Sequence, residues 1–134
     1  MESEYCENLK KIELHAHLNG SLSVTTIARL VRLHKQNFPE EEVPAAADIF
    51  KDAKTFNDAF SIFTFAQALV DHPAAVKMAT KNVLKDFADD NVAYIELRST
   101  PRECFGKMTK REYLQALFEA VEEEKDIIAG LLVR

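Results

Sequence analysis

The sequence predicts an α/β fold in which parallel strands are joined by helical crossovers, and three observations carry that expectation. Residues 11–18 alternate in the manner of a strand, residues 92–99 form a second strand-like run, and 127–133 form a short third apolar run. Helical patterns separate each run from the next. Strands spaced by whole helices pair in parallel, because a parallel neighbour needs a crossover long enough to return to the same end of the sheet.

Taken in order, residues 1–8 are expected to form a disordered extension. In 11–18, Ile12, Leu14, Ala16 and Leu18 share one face, while Lys11, Glu13, His15 and His17 share the other. Asn19-Gly20-Ser21 supplies a turn. A helix over 24–35 carries Ile27, Leu30, Val31 and His34 at helical spacing, with Ser21 or Ser23 as its N-cap. Residues 38–54 form a long connection with room for a short helix. A helix over 55–70 puts Phe56, Ala59, Phe60, Phe63 and Gln67 on one face, a spacing that by itself reads as core.

Pro73 fits the first turn of the next helix, whose buried stripe is Val76, Thr80, Val83, Leu84 and Phe87. Asp89-Asp90-Asn91 forms a turn, and Pro101 ends the second strand. Thr109 and Glu112 form a capping-box pair ahead of a helix carrying Leu114, Leu117, Phe118 and Val121. The third strand runs to the last residue with no covering helix after it. The sequence therefore predicts an incomplete domain with exposed strand edges that promote self-association.

Composition narrows the function classes. The chain has 134 residues, a formal net charge of −5 and 47% hydrophobic residues, enough for one domain spanning 1–134. Mild acidity argues against a nucleic-acid partner, which would need clustered Lys and Arg. The runs Glu40-Glu41-Glu42 and Glu122-Glu123-Glu124-Lys125-Asp126 read as solvated faces. No apolar stretch approaches the ~18 residues of a membrane span. The acidic N-terminus does not resemble a signal peptide. Cys6 and Cys104 match no zinc-binding spacing and imply free thiols, so the expected location is the cytosol.

His15 and His17 stand two residues apart at the end of the first strand, so both imidazoles point to one side and can share a metal ion. The C-terminal end of a parallel strand is also where α/β folds place their chemistry. On spacing alone, a pair of surface histidines on an edge strand remains the more common meaning of H-x-H. Glu13 shares their face and needs a partner if buried; Arg98, on the same-parity face of the second strand as Tyr94 and Glu96, is the candidate.

The segment Lys11-Ile12-Glu13-Leu14-His15-Ala16-His17-Leu18-Asn19-Gly20-Ser21 resembles the opening motif of the adenosine deaminase family. Tyr94-Ile95-Glu96-Leu97-Arg98-Ser99-Thr100-Pro101 is similar to that family's second-strand motif. The resemblance covers nearly the whole chain from Leu9 onward. Asn19, where ordinary adenosine deaminases carry Asp, and the run Ser99-Thr100-Pro101-Arg102 make it most like the adenosine deaminase-like branch acting on N6-methyl-AMP.

This resemblance implies the N-terminal part of a (β/α)8 TIM-type barrel, about three strands with their helices. It implies one zinc ion with His15 and His17 as two of its ligands, and hydrolytic deamination of a purine nucleoside monophosphate (N6-methyl-AMP to IMP plus methylamine) or of an adenosine/AMP-type substrate. His17, Asn19, Ser99, Thr100, Pro101 and Arg102 would contact the nucleotide. Asn19 avoids the repulsion an Asp would exert on a 5′-phosphate, and Arg102 offers a fork suited to phosphate oxygens. Phe60 or Phe63 would serve in an apolar lid over the purine. Gln67 would fall opposite a nucleotide-contacting histidine; glutamine can hydrogen-bond there but cannot become cationic. His34 and His72 match no family ligand and are expected at the surface.

The resemblance also implies residues that these 134 do not include: a third zinc histidine, a zinc aspartate, a catalytic glutamate and a base histidine. No catalytic residue is therefore expected within this chain, whose length falls short of the ~250 residues of a barrel. Alone it is expected to be inactive and to hold zinc weakly; the full-length protein is expected to be a monomer. Two alternatives stand beside this reading. One is another H-x-H metallohydrolase such as a phosphoesterase, which would want further carboxylates or histidines behind the pair. The other is a truncated, non-enzymatic isoform.

Overall fold

The computed structural model describes residues 2–51 and 54–134. Its strands are β1 (Lys11–His17), β2 (Val92–Arg98) and β3 (Gly130–Val133), parallel and ordered β1-β2-β3 in one sheet. The helices are α1 (Glu2–Asn8), α2 (Val24–Asn37), α3 (Ala46–Phe50), α4 (Phe56–Leu69), α5 (Pro73–Asp89) and α6 (Lys110–Glu123), with a 3-10 turn at Leu18–Gly20. The parallel crossover order agrees with the sequence-based expectation.

Residues Glu2–Asn8 form a helix where the sequence predicts disorder. Two bonds hold its end: Asn8 Nδ2 donates to the Glu4 carbonyl at 2.9 Å, and Asn91 Nδ2 donates to the Asn8 carbonyl at 2.8 Å. Asn91 itself has a φ of 62°, a left-handed turn conformation that asparagine tolerates better than most residues.

The core lies between the sheet and its helices. Ile95 and Leu97 of β2 are fully buried, together with Leu30 of α2, Val76 and Val83 of α5 and Tyr113 of α6. On β1, helical cover reaches Ala16 and Leu18 but leaves Ile12 at 67% and Leu14 at 58% exposure, so only half of the predicted apolar face is core. At the opposite edge, β3 crosses close to Tyr94. A Cβ at Gly130 would stand 2.5 Å from the Tyr94 ring, so a glycine is required there.

Helix ends follow their capping chemistry. Ser23 rather than Ser21 caps α2, accepting from Thr26 N. Thr109 and Glu112 form the predicted capping box on α6, and Thr55 with Asp58 forms another on α4. Pro73 occupies the first turn of α5.

Two helices are rotated relative to the sequence-based expectation. On α6 the buried residues are Tyr113, Ala116, Leu117 and Ala120, while Leu114 and Phe118 face solvent. Helix α6 packs on α5, where Ala75 and Ala79 are also buried. Small side chains let the two backbones approach, so this interface selects alanines over the larger apolar residues. On α4 the core face is Ala66 and Leu69, with Ile62 and Phe65 packed against the same core. Phe60 and Phe63 stay exposed, which overturns the core reading of that aromatic stripe; the side chain of Phe56 lies outside what the structure describes.

Across the α5–α6 surface, Lys77 and Lys81 grip the two oxygens of Glu123 at 2.6 and 2.7 Å. Hydrogen bonds from Lys77 and then Lys81 hold its carboxyl at about 2, below the ordinary 4.5. A carboxyl depressed in the folded state stabilises fully above its unfolded value and loses that contribution as pH falls from about 4.5 toward about 2. Glu123→Gln is therefore expected to lower the melting temperature slightly at neutral pH and low salt, with the gap closing on acidification or in high salt. Thermal melts of the two proteins across that pH range check it.

Candidate metal and nucleotide site

The C-terminal end of β1 builds the site. The β1–β2 register is irregular between Glu13 and Ala16, so the ladder does not run evenly through His15. The Glu13 carboxylate instead accepts from His15 N at 2.8 Å. This corrects the predicted Glu13–Arg98 pairing: Arg98 Nε is buried without a hydrogen-bond partner.

His15 and His17 project from the same face of the strand, exposed, with their Nε2 atoms 3.2 Å apart and ring centroids 5.1 Å apart. At this separation one neutral ring can donate to the other, or both lone pairs can meet one cation. Ligand atoms around a tetrahedral zinc with bonds of ~2.1 Å stand about 3.4 Å apart, so the pair fits two positions of such an ion.

The following turn is held to the strand by Ser21 Oγ, which donates to the His17 carbonyl at 2.7 Å. Asn19 sits in this turn with its Oδ1 buried and unpartnered. A Cβ on Gly20 would lie 3.4 Å from Phe63 Cε2 and 3.7 Å from His17 Cβ, so the Phe63 ring stands directly over the turn beside His17. His15, His17 and Phe63 thus gather at the end of β1, next to the turn that carries Asn19.

The second predicted group is placed differently. Ser99 Oγ hydrogen-bonds the buried Tyr113 hydroxyl at 2.6 Å, and Ser99 N donates to the Arg134 carbonyl. Thr100 is exposed and Pro101 is half-buried. Arg102, expected from sequence to face a phosphate, directs its fork at the end of α4. Its Nη2 donates to the Gln67 carbonyl at 2.7 Å and the Val70 carbonyl at 2.9 Å, and Nε reaches Val70 O at 3.3 Å. The contact to Gln67 is therefore through its backbone. These carbonyls stand at a helix C-terminus, where Gln67 O also accepts from Val70 N, and a guanidinium adds the donors such an end lacks.

Sequence reasoning missed a second histidine group. His34 and His72 are 4% and 5% exposed, which corrects their expected surface placement. The signal was present: His34 falls on the apolar stripe of Ile27, Leu30 and Val31. His72 Nδ1 lies 2.8 Å from Asp71 Oδ1, and His34 Nδ1 lies 3.6 Å from the same oxygen. Lys107 Nζ bonds Asp71 Oδ2 at 2.7 Å and Glu41 Oε2 at 2.8 Å, and rests 4.0 Å from the Phe38 ring centroid. Burial opposes ionisation of Asp71, but hydrogen bonds from His72 and Lys107 outweigh it and bring its carboxyl down to about 2.

No helix among the described residues is long and apolar enough to cross a membrane. The adenosine deaminase family model matches residues 10–129. A human N6-methyl-AMP deaminase is 38% identical over 125 residues, covering 92% of this chain and 35% of that protein. An Arabidopsis structure complexed with GMP superposes with a TM-score of 0.75 at 32% identity, covering 98% of this chain and 40% of that one. An Arabidopsis structure complexed with IMP gives 0.75 at 31% identity, over 98% and 41%. The chain spans about a third of the length of its human relative. Its three parallel strands with their helices match the N-terminal part of a TIM-type barrel. With both the family model and these relatives matched along nearly its full length, the chain belongs to the adenosine deaminase family.

Proposed function

We propose that this chain supplies the N-terminal part of a zinc-dependent deaminase that converts a purine nucleoside monophosphate, of the N6-methyl-AMP type, to IMP with release of the amine. The observation that carries this reading is the approach of the His15 and His17 Nε2 atoms to 3.2 Å at the end of β1, followed at once by the turn that holds the buried, unpartnered Asn19 Oδ1. Relatives named as N6-methyl-AMP deaminases, and related structures complexed with GMP and IMP, support the substrate class.

His15 and His17 would hold zinc through Nε2. Bound there, zinc supplies a water acidified toward a pKa of ~7. The chain's own groups bind and orient the nucleotide. Asn19 presents an uncharged amide to the nucleotide, where a carboxylate would repel phosphate. Phe63 offers an apolar surface over the turn and excludes water from one side of the pocket. Phe60 extends that surface along α4. Thr100 and Pro101 line the β2 end, and Ser99 holds that end against α6 through Tyr113. Arg102 serves the nucleotide indirectly, fixing the C-terminus of α4, including the Gln67 carbonyl.

Two zinc ligands fall short of the three or more that a catalytic zinc ordinarily uses. The 134 residues alone are therefore expected to show no turnover of N6-methyl-AMP and to lose zinc at the His15–His17 pair on dialysis against a chelator. The decisive experiment is to sequence the transcript through the codon for Arg134 and express any longer frame. That protein should release methylamine from N6-methyl-AMP and yield IMP, and His15→Gln or His17→Gln should remove the activity together with the zinc held at that pair. Deamination of adenosine in preference to the monophosphate would sink the nucleotide reading.

A further inference from the structure

We propose that His34, Asp71 and His72 form a binding site for a divalent transition-metal ion, zinc by preference, sharing no ligand with the His15–His17 pair. One ligand atom from each of the three residues lies within 4.8 Å of the others, and all three residues are buried. His34 Nδ1 is buried without a hydrogen-bond partner in a residue only 4% exposed, and it stands 3.6 Å from Asp71 Oδ1. An unpaired lone pair facing a buried carboxylate oxygen is costly unless a cation stands between them.

The distances suit such an ion. Ligand atoms at tetrahedral positions with bonds of ~2.0–2.1 Å are about 3.3 Å apart, and the observed 2.8 and 3.6 Å fall on either side of that value. The outer contacts have the pattern that orients metal ligands. Each histidine turns Nδ1 toward the common point and gives Nε2 to a second partner: Glu41 Oε2 at 2.9 Å for His34, and the Asn37 side chain at 3.0 Å for His72. Lys107 takes Asp71 Oδ2 at 2.7 Å and leaves Oδ1 to the site.

Charge points the same way. Asp71 and Glu41 bring two carboxylates against the one ammonium of Lys107, so a cation relieves the excess. A set of two imidazoles and one carboxylate is borderline in softness, which favours zinc over magnesium or calcium. On binding, the neutral His72 ring changes tautomer by exchange with solvent, its one N–H proton leaving Nδ1 and a proton being taken up at Nε2; a half-turn of the Asn37 amide then presents Oδ1 as acceptor to that Nε2–H. The ion would tie the end of α2 to the α4–α5 turn, next to the carbonyls that Arg102 holds.

The test uses the whole chain carrying His15→Gln and His17→Gln, so that only the proposed site can bind. Zinc should be retained at one equivalent after gel filtration, and cobalt should give the visible absorption of a tetrahedral N/O site. Adding His34→Gln or His72→Gln should weaken either metal by at least about tenfold. In case those variants fail to fold, zinc K-edge absorption on the parent should show two imidazole nitrogens. Absence of stoichiometric binding at micromolar zinc, binding indifferent to both substitutions in folded protein, or a zinc shell without imidazole overturns the proposal.

Discussion

Tyr113→Ala is expected to destabilise the chain by about 3–5 kcal/mol, the range for removing a large aromatic side chain from a packed core. Tyr113 is fully buried and is the largest side chain in the core with no solvent contact. Its ring is buried in the core with its hydroxyl on Ser99, and the neighbouring residues on its helix face, Ala116 and Ala120, are too small to collapse into the gap. Tyr113→Phe separates packing from polarity. It keeps the ring and leaves Ser99 Oγ without its 2.6 Å partner, for an expected loss of about 1 kcal/mol. Urea unfolding followed by far-UV circular dichroism checks both. A Tyr113→Phe loss as large as that of Tyr113→Ala would show that the hydroxyl contact, not the ring, stabilises this junction.

Arg102→Ala is expected to cost about 2–3 kcal/mol, because it removes charge-assisted bonds to two carbonyls at the end of α4, leaving that of the buried Val70 without its donor and that of Gln67 with only the bond from Val70 N. The effect should be local first. Hydrogen exchange should accelerate in the last turns of α4, while the amides of β2 keep their protection. Arg102→Lys should recover only part of the loss, since one ammonium cannot reproduce the planar fork. If exchange in α4 is unchanged, the guanidinium is not what anchors this helix, and its fork is available to a phosphate as the sequence alone implies.

These residues show where sequence reading succeeds and where it stops. His15 and His17 were legible as a pair because strand alternation is a local rule that puts residues two apart on one side. The capping box at Thr109 and Glu112 was legible for the same reason, since its partners lie within one helical turn. The inward face of α6 was not, because large apolar residues outscore Ala116 and Ala120 in any count of periodicity although the α5 interface demands small ones. Phe60 and Phe63 were misplaced by the same reasoning. Helix α4 has apolar residues on more than one face, and only its seat against α2 and the 3-10 turn decides which face is core.

The sequence by itself determined the order of strands and helices, their parallel pairing, the shared face of the two histidines and the family to which the chain belongs. Each of these follows from short-range periodicity or from a contiguous motif. Only the tertiary structure decided that Arg102 reaches the α4 carbonyls, that Arg98 and Glu13 do not pair, and that His34, Asp71, His72 and Lys107 meet in one buried cluster. Those partners come from separate helices and loops. Their meeting depends on how the helices pack over the sheet, which no local spacing encodes.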